Sequence, residues 1–280
     1  MISLLHTEMI KAVRRTRTYV IALGLIALPT VIVFALNARG DHGPGSRGGN
    51  GEGLFRLADQ SGLLVPAAVL SIMSGFLLVV IAGTFAGDSV AGDAGWGSLR
   101  YLLMRPVPRG RLLVAKATVA GALIWASTLL VALAALIGGV VVFGAHAVTV
   151  PTVIGTGVSG FQLGTSALLL RVLLAAGYVA FGFTALLALG TFFSTLTDSA
   201  AGAIGATVGV YIVSEILDAI TQFGQVRYGF PTHYQGVWET MFTQNRFSTE
   251  MLVGIVVQVA YLVVFGTAAL LWFRRKDIRS

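Results

Sequence analysis

Residues 88–116 read DSVAGDAGWGSLRYLLMRPVPRGRLLVAK, and the rest of the chain is arranged around this polar interruption. It carries a dense cluster of basic residues, namely Arg100, Arg105, Arg109, Arg111 and Lys116. The runs on both sides of it are apolar all round, which is typical of helices buried in a large core or in a membrane. The stretch is therefore predicted to be a surface loop between two membrane-spanning helices.

The composition of the whole chain agrees with a membrane protein. The 280 residues are 56% hydrophobic and 11% charged, with a mean hydropathy of +0.85, whereas about 25% of residues are charged in soluble domains. At about 20 residues per span, this length accommodates roughly six spans. We predict an all-α integral membrane protein, with residues 1–280 forming a single transmembrane domain.

The absence of cysteine and the scattered positions of the histidines limit the kinds of site that the chain can contain. The chain has no cysteine, which excludes disulfides, thiol catalysis and cysteine metal sites. Its four histidines are scattered without the spacing of metal ligands. We expect neither a metal site nor a catalytic residue.

Six apolar segments are long enough to cross a bilayer. Their predicted bounds are residues 19–36, 61–85, 112–143, 171–193, 199–220 and 251–273. In the fifth segment, Gly205 and Gly209 have the spacing of a close helix contact, which also arises by chance in a glycine-rich helix. A turn follows the fourth segment, and Asp198 or Ser199 is placed to cap the helix after it.

The first 18 residues are predicted to form an amphipathic helix at the membrane surface. Ile2, Leu5, Met9 and Val13 recur at helical spacing, and charged residues occupy the other faces. An ordinary basic segment before the first span explains the same residues equally well. The two interpretations differ in whether the segment contacts a partner.

The lysines and arginines indicate the orientation of the chain. Of the 19 in the sequence, thirteen lie on one side if both termini share it, in residues 11–17, 100–116 and 274–279. Because cytoplasmic loops carry the excess of Lys and Arg, both termini and the loop after the second span are predicted to be cytoplasmic. The basic charge then anchors the orientation, and nucleic acid is not expected as a partner.

The central loop itself is predicted to contain a short helix. Glycines at three positions around Trp96, namely Gly92, Gly95 and Gly97, predict a break after the second span. Leu99 and Leu102 then lie on adjacent helical faces, and Pro106 and Pro108 end the helix. A plain positively charged loop without a partner remains the alternative interpretation.

In this loop the sequence resembles the permease subunits of type-2 ATP-binding-cassette (ABC) exporters. Their first cytoplasmic loop carries an acidic residue, Gly-Thr/Ser-Leu, a hydrophobic pair, Pro-Val-x-Arg and a downstream lysine. The matching residues here are Asp93, Gly97, Ser98, Leu99, Leu102, Leu103, Pro106, Val107, Arg109 and Lys116. Two departures are Asp93 in place of the commoner glutamate and the extra Pro108. The plan of a leader, six spans and a structured last outer loop extends the resemblance over nearly the whole chain.

The resemblance implies that the loop is a coupling helix that docks into a groove of an ATPase. The implied contact residues are Asp93, Gly97, Ser98, Leu99, Arg100, Leu102, Leu103, Pro106 and Arg109. The chain has no GxxxxGK[ST] motif, so ATP and magnesium are expected on separate ABC ATPase subunits and no cofactor is expected in this chain. A second permease copy or a related permease is expected to complete the pathway, in a bacterial inner membrane and in contact with its lipid.

Two features on the side of the membrane opposite to this loop are candidates for the substrate path. Glu215 and Asp218 lie near the end of the fifth span. Because a charged side chain inside a membrane helix is costly, its presence there indicates a function. They could line the pathway or lie solvated at the membrane interface. Residues 221–249 are rich in aromatic side chains, which favour the headgroup region. The resemblance implies re-entrant helices there, and an interfacial loop is the alternative.

Other classes of function are also considered. An ATP-independent transporter or a membrane assembly scaffold would have a similar composition. The segment Gly157-Val158-Ser159-Gly160 matches the GxSG motif of rhomboid intramembrane proteases. Such an enzyme needs a histidine base near its serine, and the only histidine downstream is His233, in a polar loop. The protease is therefore a remote alternative.

Overall fold

A computed structural model of the chain describes residues 2–38, 61–95, 108–154, 157–243 and 248–275. The helices are α1 (Ile2–Val13), α2 (Thr16–Ala38), α3 (Val65–Gly75), α4 (Leu77–Gly95), α5 (Arg109–Phe143), α6 (Thr165–Gly182), α7 (Thr184–Leu196), α8 (Ala200–Ala219), α9 (Thr240–Thr243) and α10 (Thr249–Arg275). A hairpin of β1 (Val148–Ile154) and β2 (Gly157–Leu163) precedes α6. Two 3-10 helices, Thr221–Gly229 and Val237–Glu239, lie between α8 and α9.

The predicted class, an all-α membrane protein with six membrane-spanning helices, is confirmed. Six helical segments are long and apolar enough to cross a bilayer: Thr16–Ala38, Leu77–Gly95, Arg109–Phe143, Thr165–Leu196, Ala200–Ala219 and Thr249–Arg275. The fourth of these is made of α6 and α7, which meet at Phe183. The described part of α1 is helical as expected, and its position on a membrane surface stays a prediction.

The second span begins later than the expected 61–85. The apolar run there is divided at Phe76 into α3 and α4, and the candidate span is Leu77–Gly95. Helix α3 is largely buried in the bundle, where Val65 and Leu70, and Leu64 just before the helix, have no exposed surface. An apolar run alone does not separate a buried core helix from a span. Helix α4 also continues through Gly92 to Gly95, beyond the expected break.

Helices α4 and α7 form the centre of the bundle. Helix α4 packs against α5, α7 and α8, and α7 packs against α4, α8 and α10. Glycine permits close approaches between these helices: a Cβ at Gly87 of α4 would lie 2.8 Å from the backbone nitrogen of Ile204 in α8. Small residues at such crossings are typical of helices that associate in lipid.

The glycines at 205 and 209 do not make such a contact. Apart from the adjacent part of its own helix, no described atom lies within 4 Å of the position that a Cβ would take at Gly205 or Gly209. Helix α8 instead approaches α4 through its other face, where Ala203 and Thr207 are fully buried. The spacing of the two glycines therefore does not report a helix contact among the described residues.

The β-hairpin was not expected in a segment that carries no charge. Its strands are antiparallel, with Val148 opposite Leu163 and Ile154 opposite Gly157. Val148 and Leu163 are buried against the helical core, so the hairpin is attached to it at its base. The β-branched run VTVPTVI was the local signal for a strand.

Candidate functional site

Seven charged side chains meet at the end of the bundle from which residues 96–107 leave. This ion-pair cluster consists of Glu8, Lys11, Arg15, Arg17, Asp88, Asp93 and Lys116. Two of its acids lie on the last turns of α4, and its buried lysine lies two turns into α5. The others come from α1, from the link between α1 and α2, and from the first turn of α2. Residues far apart in sequence are thus joined at one end of the molecule.

Lys116 is the most buried cation of the cluster, with 5% of its surface exposed. Its Nζ donates a hydrogen bond to Glu8 Oε2 at 3.1 Å and forms an ion pair with Asp93. A buried ammonium group costs several kcal/mol of lost hydration, roughly, unless acids and hydrogen bonds compensate it. The two carboxylates provide that compensation, so Lys116 joins α1 to α4 and α5 at once.

The two aspartates of α4 bind the remaining cations. Asp93 accepts hydrogen bonds from Lys11 Nζ at 2.8 Å and from Arg15 at 3.2 Å. Asp88 accepts one from Arg15 at 2.5 Å and pairs with Arg17. Arg15 therefore bridges both aspartates, with its fork of donors suited to binding more than one carboxylate oxygen.

Gly92 has a role that its sequence position did not reveal. A Cβ at Gly92 would overlap the carboxylate of Asp88, one turn earlier on the same helix. The glycine thus leaves room for the ion-pair cluster within a continuous helix, and it does not end that helix. The fully buried Ser194 of α7 lies beside it and accepts hydrogen bonds from the backbone N–H groups of Val90 and Ala91.

The structure places the predicted contact residues in two groups. Gly97, Ser98, Leu99, Arg100, Leu102, Leu103 and Pro106 lie outside the described residues, so the coupling helix itself stays a prediction. Asp93 is 2% exposed and its carboxylate is occupied by Lys11, Arg15 and Lys116. Arg109 is the first residue of α5 and is partly exposed.

The two predicted acids, Glu215 and Asp218, lie at the other end of the bundle. They are next to residues 221–243, here named the cap segment. The Asp218 carboxylate forms a hydrogen bond with His233 Nδ1 at 2.7 Å and lies 3.4 Å from Arg227 Nε. His233 and Arg227 are both residues of the cap segment. Glu215 is partly buried on the same helix, close to Tyr211. Neither a role in a pathway nor a solvated position at the interface is tested by this geometry.

Long neutral side chains of the spans also hold the cap segment. Gln258 of α10 accepts from the backbone nitrogen of Ala185 at 2.9 Å and donates to the Pro231 carbonyl at 3.1 Å. Tyr178 of α6 donates to the Tyr234 carbonyl at 3.0 Å. A glutamine inside an apolar helix is a signal that sequence reasoning passed over, since polar groups in spans are conspicuous and costly.

One carboxyl group of the cap segment is electrostatically unusual. Burial raises the pKa of Glu239 from its ordinary 4.5 to about 7. Glu239 follows Trp238, whose ring is almost wholly buried and meets Phe242 edge-on. The cap segment therefore holds a carboxyl group that changes charge near neutral pH.

The segment that matched the protease motif is not part of a membrane helix. Gly157 to Gly160 lie in β2, where Ser159 stands opposite Thr152 in the strand register. His233 lies in a turn of the cap segment and is bound to Asp218. A serine and histidine pair between membrane helices has no support in this placement.

Comparison with protein families adds an independent finding. Residues 2–278 match the family model described as "ABC-2 family transporter protein". The match covers the whole described bundle and both of its ends. No curated protein matches the chain.

Proposed function

The chain belongs to the ABC-2 family of transporter proteins, and from this we propose that it is the permease subunit of an ABC exporter driven by separate ATPase subunits. Membership makes it a multi-pass membrane component of transport, which agrees with its six helices of membrane-spanning length. The direction of transport, the ATPase and the orientation in a bacterial inner membrane, with cytoplasmic termini, are parts of the proposal.

The observation that carries the proposal is the ion-pair cluster. It fixes α1, the end of α4 and the start of α5 to one another on both sides of residues 96–107. A partner that moves this loop therefore moves two spans and the N-terminal helix together. Coupling between distant sites needs such rigid, packed elements, because a loosely attached loop would absorb the movement.

Within this proposal, the direct contact with the ATPase belongs to residues 97–106 and to Arg109. Asp93 contributes from inside, since its carboxylate faces Lys11, Arg15 and Lys116 rather than solvent. Its effect on docking is to hold the base of the loop in position. ATP and magnesium are bound by the ATPase, and no cofactor is assigned to this chain.

A second permease completes the pathway in the proposal. Six spans form half of a translocation path, so this chain acts as a homodimer or beside a related permease. Glu215 and Asp218 are proposed to lie at the far end of that path. Asp218 is engaged by Arg227 and His233, and Glu215 lies beside Tyr211 on the same helix.

The contact with the ATPase is tested by the double substitution Leu99→Asp and Leu102→Asp. It should abolish co-purification with the ABC ATPase encoded beside the gene, because charge replaces the apolar anchors of the docking surface. Leu54→Asp with Leu57→Asp is the matched control, having the same spacing in the loop predicted to face the other side. Docking that survives the first pair would contradict the assigned contact.

Co-purification of the unaltered protein tests the class of mechanism. The detergent-solubilised permease should capture the neighbouring ATPase, and two differently tagged copies, or one copy and a related permease, should be recovered in the same complex. A permease that transports without capturing any ATPase would support the ATP-independent alternative.

A further inference from the structure

A pocket of about 40 Å³ lies against the ion-pair cluster, between α1, α2, α4 and α5. Six of the seven charged residues of the cluster line it, all except Asp93. At about 10–15 Å³ for one water-sized group, the pocket holds about three such groups. It therefore has room for the outer oxygens of a tetrahedral oxyanion such as a phosphate.

Two hydrogen-bond donors in the wall of this pocket have no partner. The Nε atom of Arg17 and the Oγ atom of Ser89 are buried and make no hydrogen bond to the described residues. Arg17 pairs with Asp88 through a different nitrogen of its guanidinium group, which leaves the Nε–H group available. A buried donor without an acceptor is unfavourable, so an acceptor that enters the pocket is stabilised by both groups.

The charges of the cluster are arranged with the acids inside and the cations outside. The side chains of the three acids are at most 9% exposed, whereas those of Lys11, Arg15 and Arg17 are 31% to 38% exposed. With four cations and three acids, the cluster also has one positive charge in excess. Water would satisfy the two free donors but would not balance this charge, and an anion does both. Arginine is the side chain best suited to a phosphate, because its planar fork matches the phosphate oxygens.

The inner wall of the pocket is apolar, which indicates where the phosphate comes from. Phe85 lies one turn before Ser89 on α4, on the side away from the loop end, and also lines the pocket. Leu123 lies seven residues beyond Lys116 on α5, or about 10 Å further along that helix. Since α4 and α5 are both candidate membrane spans, charged groups lie at the membrane surface and apolar ones beneath them. A phospholipid has its own groups in the same order.

We propose that this pocket binds the phosphate group of an anionic membrane phospholipid. Arg17 Nε and the Ser89 hydroxyl donate hydrogen bonds to the phosphate oxygens, and the glycerol and the first part of an acyl chain lie along Phe85 and Leu123. The site is built by a single chain and needs neither a second copy nor an ATPase. It therefore holds or fails independently of the proposed transport mechanism.

The site is tested by the melting temperature of the detergent-solubilised protein during titration with phosphatidylglycerol or phosphatidylcholine. Phosphatidylglycerol should raise the melting temperature at the lower lipid concentration, because phosphatidylcholine carries no net charge. Ser89→Ala should need about tenfold more phosphatidylglycerol for the same rise, the effect of one hydrogen bond to a charged group. This substitution leaves the net charge unchanged, so general attraction of anionic lipid to basic residues is retained. Without lipid, Ser89→Ala should melt no earlier than the unaltered protein, since its hydroxyl has no partner to lose.

Thr84→Val is the matched control on the same helix. Thr84 donates to the Val80 carbonyl of its own helix and lies outside the pocket lining, so its substitution should leave the lipid titration unchanged. Arg17→Lys is a second variant that keeps the charge but lacks the guanidinium fork, and it should also weaken the response to phosphatidylglycerol. Equal responses to the two lipids, or equal titrations of Ser89→Ala and Thr84→Val, would overturn the proposal and leave the pocket to water.

A titration with inorganic phosphate separates a lipid headgroup from a soluble phosphate. Because the apolar wall contributes only to lipid binding, millimolar phosphate should not give a rise in melting temperature that depends on Ser89. A rise with phosphate alone that Ser89→Ala removes would overturn the assignment to lipid and make the pocket a site for a soluble phosphate.

Discussion

The two ends of the helix bundle are held by different chemistry. At the end from which residues 96–107 leave, seven charged side chains form ion pairs, and Asp93, Asp88 and Lys116 are almost completely buried. At the other end, neutral side chains of the spans, namely Tyr178, Gln258 and Tyr261, donate hydrogen bonds to backbone carbonyls of the cap segment, and Arg171 of α6 donates one to the Met241 carbonyl. Asp218, with His233 and Arg227, adds a partly exposed group of charges there.

This difference has a mechanical meaning. A buried ion pair is strongly destabilising to break, because the remaining charge stays in a medium that cannot hydrate it. A neutral hydrogen bond contributes only about 0.5–1.5 kcal/mol net, since water replaces it on opening. The ion-pair cluster should therefore resist deformation more strongly than the attachment of the cap segment.

The largest expected effect is at the loop end. Lys116→Met should lower the free energy of unfolding by about 3–5 kcal/mol, since Glu8 and Asp93 lose their buried partner. The measurement is an SDS titration in mixed micelles followed by circular dichroism. Arg14→Met is the control, because Arg14 is an exposed cation in the link between α1 and α2. Equal stability of the two variants would show that the cluster does not act as a clamp.

The second prediction concerns the space that the cluster needs. Gly92→Ala should cost about 1.5–3 kcal/mol, the range of hydrogen bonds to charged groups, because the new methyl group displaces the carboxylate of Asp88 from Arg15 and Arg17. Gly24→Ala should instead be neutral or slightly stabilising, since among the described residues no atom outside the adjacent part of its own helix lies within 4 Å of that position. The same titration compares the two variants. A stabilising Gly92→Ala would mean that the carboxylate is not confined there.

The third prediction concerns the cap end. Gln258→Leu should cost about 1–3 kcal/mol by leaving the Ala185 nitrogen and the Pro231 carbonyl without their partner. It should also raise the rate of proteolysis within residues 221–243 more than Lys116→Met does. Thr267→Val is the control on the same helix, because its hydroxyl bonds only the helix's own backbone. Cleavage at the same rate in Gln258→Leu and Thr267→Val would mean that Gln258 does not hold the cap segment in place.

The smallest effect is a pH dependence confined to the cap end. The pKa of Glu239 is raised to about 7 in the folded protein from an ordinary 4.5, so between these values the folded state binds the proton and the unfolded state does not. Stability should therefore fall as pH rises through this window and stay low above it. Glu239→Gln should flatten the melting temperature across pH 5–8, and the exposed Glu250→Gln should not.

Parts of the fold and of the candidate site were open to sequence reasoning because their signals are local. Length and hydropathy predicted six spans, and the turn at 194–198 predicted the helix cap that Ser199 makes with the Gly202 nitrogen at 3.2 Å. The division of the second apolar run into α3 and α4 was not predictable. Helix α3 is largely buried by other helices, and burial by distant elements leaves no mark in the apolar pattern.

The sequence by itself determined the class of protein, the number of spans and the polar segment between the second and third spans. These follow from hydrophobic length and the placement of charge, which each residue carries wherever its neighbours lie. The tertiary structure alone decided that Asp93 binds Lys116, Lys11 and Arg15, that Gly92 makes room for Asp88, and that Gln258 joins Ala185 to Pro231. Each of these depends on which helices become neighbours, and long-range packing fixes that choice.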